Sequence, residues 1–273
     1  MRLKPHKNIT LKRLALDLYQ FFRAQSLAVK VLGRQFQRSR RYVEIDITYK
    51  CNLKCINCNR SCTQAPSREE MPVQTIEQFV RQSIEKNCSW ERIRILGGEP
   101  TLHSQFFDIV ELLRDYRKCH NSSVRLVVCT NLYGSQVNAA IRKLPRDVFV
   151  KSTVKTSAVN LFRPFNVAPV DTVVNRFSDY SCGCRIIEDC GLGLTPGGYY
   201  VCAVAGGIDR IFGFGLGRQT LPAEDDEMID QMQQLCRLCG HFGFARPVKR
   251  KNIPHLAAGH ADYRSIQGQK AEN

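Results

Sequence analysis

From residue 42 to about residue 154 the chain alternates between short runs of β-branched and aromatic residues and longer stretches with an apolar residue every three or four positions. The short runs are YVEIDITY (42–49), RIRIL (92–96), VRLVVCTN (124–131) and VFVKSTV (148–154), compositions that favour strands. Between the first two, Val73, Ile76, Phe79, Val80 and Ile84 recur at helical spacing over 72–87. Further helices are expected over 104–117 and 136–143. Strands separated by helices at these intervals build βα units with a parallel sheet, so the fold class is expected to be α/β.

After about residue 160 the alternation fades and Cys and Gly become frequent. GLGLTPGGYYVC (191–202) reads as two short strands joined at Pro196-Gly197, with Pro at the first turn position and Gly tolerating positive φ at the second. A polar helix over about 223–235 leads into CRLC. The tail beyond 249 is polar and is expected to be poorly ordered. No internal repeat is evident.

A chain of 273 residues is long enough for one full core and a smaller second one. Its thirteen cysteines are an odd number in close clusters, which argues for metal binding in a reducing compartment over a disulfide framework. The formal charge is +15, and +10 of it falls in the first 41 residues, where eleven Lys and Arg face the single acid Asp17. Lys12, Arg13, Asp17, Arg23 and Lys30 interrupt every apolar run there, so neither a signal core nor a membrane span is expected, and the protein is expected to be cytoplasmic. Leu11, Leu14, Leu18, Phe21, Phe22, Val29 and Leu32 give the segment helical amphipathicity. The favoured expectation is a helix whose apolar stripe packs on the main domain; contact with an anionic membrane, an acidic peptide or nucleic acid is less favoured.

Three motifs fall just past the ends of successive strands: CNLKCINC (51–58), GGEP (97–100) and Thr130-Asn131. That edge of an α/β sheet is where ligands bind. The spacing CxxxCxxC lets one tight loop bring Cys51, Cys55 and Cys58 around a single metal centre, and soft thiolates suit zinc or an iron–sulfur cluster. Structural zinc wants four closed ligands, and Cys62 is available as a fourth. Nothing in zinc chemistry, however, asks for a glycine pair one strand away.

CNLKCINC followed by ILGGEPTLH resembles the radical S-adenosylmethionine (SAM) superfamily, over about residues 42–155. Asn57 departs from the aromatic residue that family often has before the third cysteine. The resemblance implies a partial (β/α)6 TIM-like barrel. It also implies a four-iron, four-sulfur cluster on Cys51, Cys55 and Cys58, with the open iron chelated by SAM. Gly97 and Gly98 would let backbone approach the methionyl part, and Glu99 would accept from its ammonium group. Thr130, Asn131 and Ser152 are further cofactor-contact candidates by the same resemblance, with a strand-end cap or polar lining role as the alternative. His103 is expected to be a packing residue. A one-electron donor such as flavodoxin or ferredoxin, and a peptide or small-molecule substrate, are implied as well.

Cys182, Cys184, Cys190, Cys202, Cys236 and Cys239 crowd into the last third. Cys184, then GxxxxC ending at Cys202, then the CxxC of Cys236 and Cys239, resembles the twitch form of the SPASM extension, which carries an auxiliary cluster. The preferred ligands are Cys184, Cys202, Cys236 and Cys239; Cys182 and Cys190 are alternatives for the first, and structural zinc is an alternative occupant. Cys88, Cys119 and Cys129 are expected to be buried free thiols. The organisation expected is a basic helix (1–41), a barrel (42–180), a Cys-rich extension (181–248) and a tail (249–273). The function expected is reductive cleavage of SAM to a 5′-deoxyadenosyl radical that oxidises, epimerises or joins bonds in a substrate. A non-enzymatic zinc or iron–sulfur module with a basic contact surface is the alternative.

Overall fold

Ile and Val at alternate positions give β1 (Tyr42–Thr48) one wholly apolar face, with Val43, Ile45 and Ile47 at zero exposure. β2 (Arg92–Gly97) and β3 (Arg125–Thr130) repeat the pattern with Ile93, Ile95, Leu126 and Val128. β4 (Phe149–Ser152) completes the run, and all three neighbouring pairs are parallel. The computed structural model describes residues 11–55, 58–152, 161–162, 167–242 and 248–249, so the expected end of the fourth strand at Val154 lies outside the described residues.

Two compact units make up the chain: Arg38–Lys155 with Ile186–Met228, and Met1–Gln37 with Thr156–Arg185 and Ile229–Asn273. The first unit holds a six-stranded, mostly parallel α/β sheet in the order β4-β3-β2-β1-β6-β7. Its helices α3 (Val73–Glu85) and α4 (Phe106–Cys119) turn Ile76, Phe79, Phe106, Ile109 and Leu113 inward, all buried. Each such side chain contributes roughly 1.5–3 kcal/mol on burial. Trp90 lies against Phe79 with the rings tilted by 33°, and its indole N–H donates to Ser83 Oγ at 3.0 Å. α5 (Ser135–Arg142) links β3 to β4.

β6 (Leu192–Thr195) and β7 (Gly198–Tyr200) are the expected hairpin, but it extends the main sheet: β6 pairs in parallel with β1, Val43 to Leu192. The positive φ falls on Gly198 (111°), one residue after the position expected. α6 (Arg185–Cys190) and α7 (Ala203–Phe212) have no counterpart in the sequence reading. Two glycines in the middle of AVAGGIDRIF weaken its helical signal. Packing requires one of them, since a Cβ on Gly206 would come within 2.7 Å of Thr195 and 2.9 Å of Tyr200.

In the second unit the expected single basic helix is two, α1 (Leu11–Arg23) and α2 (Ser26–Leu32). The break falls where Gln25 bridges Ser178 and Ser26 N donates to Phe177 O at 2.9 Å. Ala24, Ala28 and Val29 are buried, but Leu18, Tyr19, Phe22, Leu27 and Val31 are exposed, so the expected stripe is only partly covered. α8 spans Ile229–Leu235, six residues shorter at its start than expected. The carbonyls of Ala223, Glu224 and Asp226 accept from the Arg38 guanidinium, and Met228 takes φ 54°, which starts no helix. β5 (Leu161–Phe162) and β8 (Val248–Lys249) form an antiparallel pair. The 1–10 segment and the tail beyond 249 lie outside the described residues. Among the described residues, no helix is long and apolar enough to cross a membrane.

Candidate metal and cofactor site

The end of β1 fixes the cysteine loop at its base. Tyr49 N donates to Glu69 O at 3.0 Å and Met71 N to Ile47 O at 2.8 Å, which staples the two ends of the loop together. Lys50 pairs with Glu70 at 2.8 Å, and Ser104 donates to the same carboxylate from its N–H and its hydroxyl. Burial opposes ionisation, yet these partners hold the Glu70 carboxyl down at about 2.

A second anchor lies deeper. Arg60, two residues past Cys58, is only 4% exposed. Its Nε donates to Asp46 Oδ1 at 3.0 Å and its Nη2 to Glu44 Oε2, while Arg94 donates to Glu44 Oε1 at 2.7 Å. Glu44, Asp46 and Arg94 occupy alternate positions of β1 and β2, so they share the face opposite Ile45 and Ile93. Arg210 of α7 donates to the carbonyls of Arg60 and Ser61 at 3.2 Å each, holding the backbone of the loop. Burial pushes Asp46 up to about 6 in spite of Arg60. Burial also opposes the Glu44 charge, but Arg60 and Arg94 bring its carboxyl below the ordinary value. Arg60 Nη1 and Asp46 Oδ2 are left without hydrogen-bond partners. Sequence reasoning missed this clamp, although two acids alternating with isoleucines in YVEIDITY are the signal of a charged sheet face.

Cys51, Cys55 and Cys58 are half-buried on the loop so anchored, and none of them is in a disulfide. Leu53 N approaches Cys51 Sγ at 3.5 Å, Thr63 Oγ1 donates to Cys55 O at 2.8 Å and Ser61 N to Cys58 O at 3.0 Å. Burial pushes the Cys51 thiol up, and Cys58, Cys55 and Glu99 add to the effect, so these four groups share one electrostatic neighbourhood. The Cys62 thiol donates to Arg60 O at 3.8 Å, and its proximity to Cys58 draws the Cys58 thiol, against burial, down to about 5 while Cys62 itself rises. Cys62, a candidate fourth zinc ligand by sequence, thus favours the thiolate form of its neighbour, the form that binds metal. The donor chemistry fits an iron–sulfur cluster; the geometry is open, since among the described residues no three His, Cys, Asp or Glu side chains close on a point that would hold a metal ion. Asn57 lies outside the described residues.

The GGEP turn folds directly over the end of β1. A Cβ on Gly97 would sit 2.2 Å from Thr48 O, and one on Gly98 2.1 Å from Lys50 O. Gly98 N donates to Thr48 O at 2.7 Å and Glu99 N to Lys50 O at 2.8 Å. The two glycines are therefore demanded by the strand they cross, whatever ligand approaches them. Glu99 is fully buried, and its carboxylate, expected to accept from an ammonium group, accepts from Thr101 Oγ1 and Thr130 Oγ1 at 2.8 Å each and from Asn131 N at 2.8 Å. The Asn131 side chain donates to Asn52 Oδ1 at 2.8 Å, and Asn52 donates to Tyr133 O at 2.6 Å. Glu99, Thr130 and Asn131 thus form one network from the end of β2 through the end of β3 to the residue beside Cys51. Ser152 pairs in register with Thr130 on β4 and is half-buried. His103 accepts from Gln105 N through Nδ1, so its Nε2–H donates to Met71 O at 2.9 Å; it is a buried packing residue, as expected.

The later cysteines divide between the two units. Cys184, Cys236 and Cys239 belong to one, with the latter two buried in and after a 3-10 turn at Cys236–Leu238. In that unit Cys182 is 1% exposed and its thiol donates to Arg23 O at 3.6 Å, tying it to the end of α1. Cys202 belongs to the sheet unit, buried at the start of α7. There Cys190 ends α6 beside Glu44; burial first, then the Glu44 charge, pushes its thiol up. Of the three thiols expected to be buried, Cys119 is exposed at the end of α4, and Cys88 and Cys129 are half-buried.

Residues 45–148 match the family described as the Radical SAM superfamily. A GTP 3′,8-cyclase of Haemophilus ducreyi is 27% identical over 145 residues, 50% of this chain and 39% of that protein. One of Mannheimia succiniciproducens is 33% identical over 96 residues, 33% of this chain and 28% of that protein. The chain thus spans less than half the length of these curated relatives. Among solved structures, BtrN in complex with AdoMet and 2-DOIA shows 12% identity and a TM-score of 0.45, covering 77% of this chain and 94% of that one. Streptococcus suis SuiB bound to precursor peptide SuiA shows 17% identity and a TM-score of 0.30, covering 55% of this chain and 31% of that one.

Proposed function

From the match of residues 45–148 to the Radical SAM superfamily, we propose that the protein is a radical SAM enzyme that reductively cleaves S-adenosylmethionine. The observation that carries the reading is one anchored loop bearing Cys51, Cys55 and Cys58 beside a glycine turn from the next strand. When bound, the four-iron, four-sulfur cluster and SAM supply a one-electron cleavage that yields a 5′-deoxyadenosyl radical for hydrogen abstraction.

The chain's own residues do the rest. Cys51, Cys55 and Cys58 hold the cluster, and Cys62 favours the thiolate of Cys58. Gly97 and Gly98 keep the turn close over β1, Glu99 fixes the ends of β2 and β3 through Thr130 and Asn131, and Asn131 orients Asn52 next to the first ligand. Glu99 is kept as the acceptor for the SAM ammonium group, since its Oε2 takes only Asn131 N and has room for a further donor. Ser152 is kept as a contact to the cofactor. The substrate is a peptide or small metabolite, and an external one-electron donor of the flavodoxin or ferredoxin type supplies the electron. Cys184, Cys202, Cys236 and Cys239 are assigned to a second, auxiliary cluster, which favours reactions in which an electron leaves the substrate radical; the bond-forming class is the one named in GTP 3′,8-cyclase.

Anaerobic reconstitution tests this reading. It expects charge-transfer absorption near ~400 nm, about eight irons per chain, and 5′-deoxyadenosine on addition of SAM and dithionite. A colourless chain with stoichiometric zinc and no 5′-deoxyadenosine overturns it.

A further inference from the structure

A well-formed cleft lies in the unit that does not carry the sheet. It measures about 530 Å³ and is walled by the Val170–Tyr180 stretch on one side and by Gln233 and Arg237 on the other. Clefts of roughly 300–1,000 Å³ accommodate whole small molecules. Its walls are fixed locally. Thr172 Oγ1 donates to Pro169 O at 2.7 Å and accepts from Asn175 Nδ2 at 2.6 Å, and Asp179 caps the next turn by accepting from Ser181 N at 2.9 Å. The Pro169–Asp171 turn packs against the Cys236–Leu238 turn, which brings Arg237 over the cleft.

Two features of the lining ask for a ligand. Arg176 and Arg237 both reach it, both are exposed, and neither has an ion-pair partner among the described residues. Asn175 is 3% exposed; its Nδ2 is occupied by Thr172, and its Oδ1 is buried with no partner. A buried acceptor without a donor is costly unless something fills the position. Two guanidinium forks on one small cleft are the arrangement that recognises carboxylate or phosphate.

We propose that this cleft binds a small organic anion, its carboxylate or phosphate held by Arg176 and Arg237 and a neighbouring hydroxyl or N–H donating to Asn175 Oδ1. The site is independent of the cysteine loop and stands whether or not iron binds there.

The test is calorimetric titration of the full chain with two probes, L-malate, which carries carboxylates and a hydroxyl, and inorganic phosphate. Saturable binding of at least one, with a Kd of about 1 mM or tighter, is expected; which probe binds tells carboxylate from phosphate recognition. The R176Q/R237Q variant is expected to bind about tenfold more weakly or not at all. Should circular dichroism show the double variant misfolded, R176Q alone decides, since Arg176 is exposed and lies outside the CxxC turn. No saturation with either probe, or undiminished binding in the folded variant, overturns the proposal.

Discussion

The cysteine loop after β1 and the later cysteines present the same thiol chemistry in opposite ways. The first three sulfurs sit within eight residues, on a loop stapled at its base and clamped by the buried Arg60 against Glu44 and Asp46. The later ones ride on helix ends and 3-10 turns, divided between two compact units. Where one loop carries the set, the fold itself bears the cost of holding it. Where the set is spread, local capping decides each thiol: Cys182 is taken up by Arg23 O, and Cys190 by the neighbourhood of Glu44.

The comparison breaks most visibly in a Cys51, Cys55, Cys58 triple alanine variant. Formation of 5′-deoxyadenosine is expected to vanish while the far-ultraviolet circular dichroism and the later cysteines' metal are unchanged, so the iron count falls by about half. Retained cleavage would refute the first assignment. A smaller but still large effect is expected from Arg60→Met. Removing one partner leaves Glu44 and Asp46 buried with less compensation, which costs about 3–5 kcal/mol. Urea unfolding measures it, and a loss below about 1 kcal/mol would mean that Arg60 is no clamp.

That clamp also marks the limit of what sequence pattern tells. β1 to β4, α3, α4 and the three strand-end motifs were legible because their apolar period and their punctuation agree. The hairpin at 192–200 was legible as a hairpin, but its parallel pairing to β1 is a non-local contact with no local signature. α7 was hidden by Gly206 and Gly207, the first of which is placed there by packing on Thr195 and Tyr200 and not by helix propensity. The start of α8 was misread because a distant arginine, Arg38, captures the carbonyls that a helix would have used. Glu99 was found by its motif, yet its partners Thr101, Thr130 and Asn131 appear only once β2 and β3 lie side by side.

For the dispersed set the decisive contrast is between two buried cysteines. Cys236→Ala is expected to lower the iron count by about half and to spare uncoupled cleavage of SAM. Cys182→Ala is expected to leave iron unchanged, because its thiol is already committed to α1. Undiminished iron in the Cys236→Ala variant would remove Cys236 from the ligand set; an equal loss in both variants would place Cys182 within it.

The smallest expected effect concerns the pH dependence of the clamp. Asp46 has a folded value of about 6 against an ordinary 3.8, because burial penalises its charge more than Arg60 relieves it. A folded value above the unfolded one means that the native state holds the proton more tightly, so the contribution is complete below about pH 4 and is lost as pH rises through about 6. Between those limits wild-type stability is expected to fall relative to Asp46→Asn, with a slope on the order of 1 kcal/mol per pH unit at most. Parallel unfolding curves for the two proteins from pH 4 to 7 would show that Asp46 is as well compensated as Glu44. The charged face beneath the cysteine loop would then be a balanced ion network, with no carboxyl of raised affinity for protons.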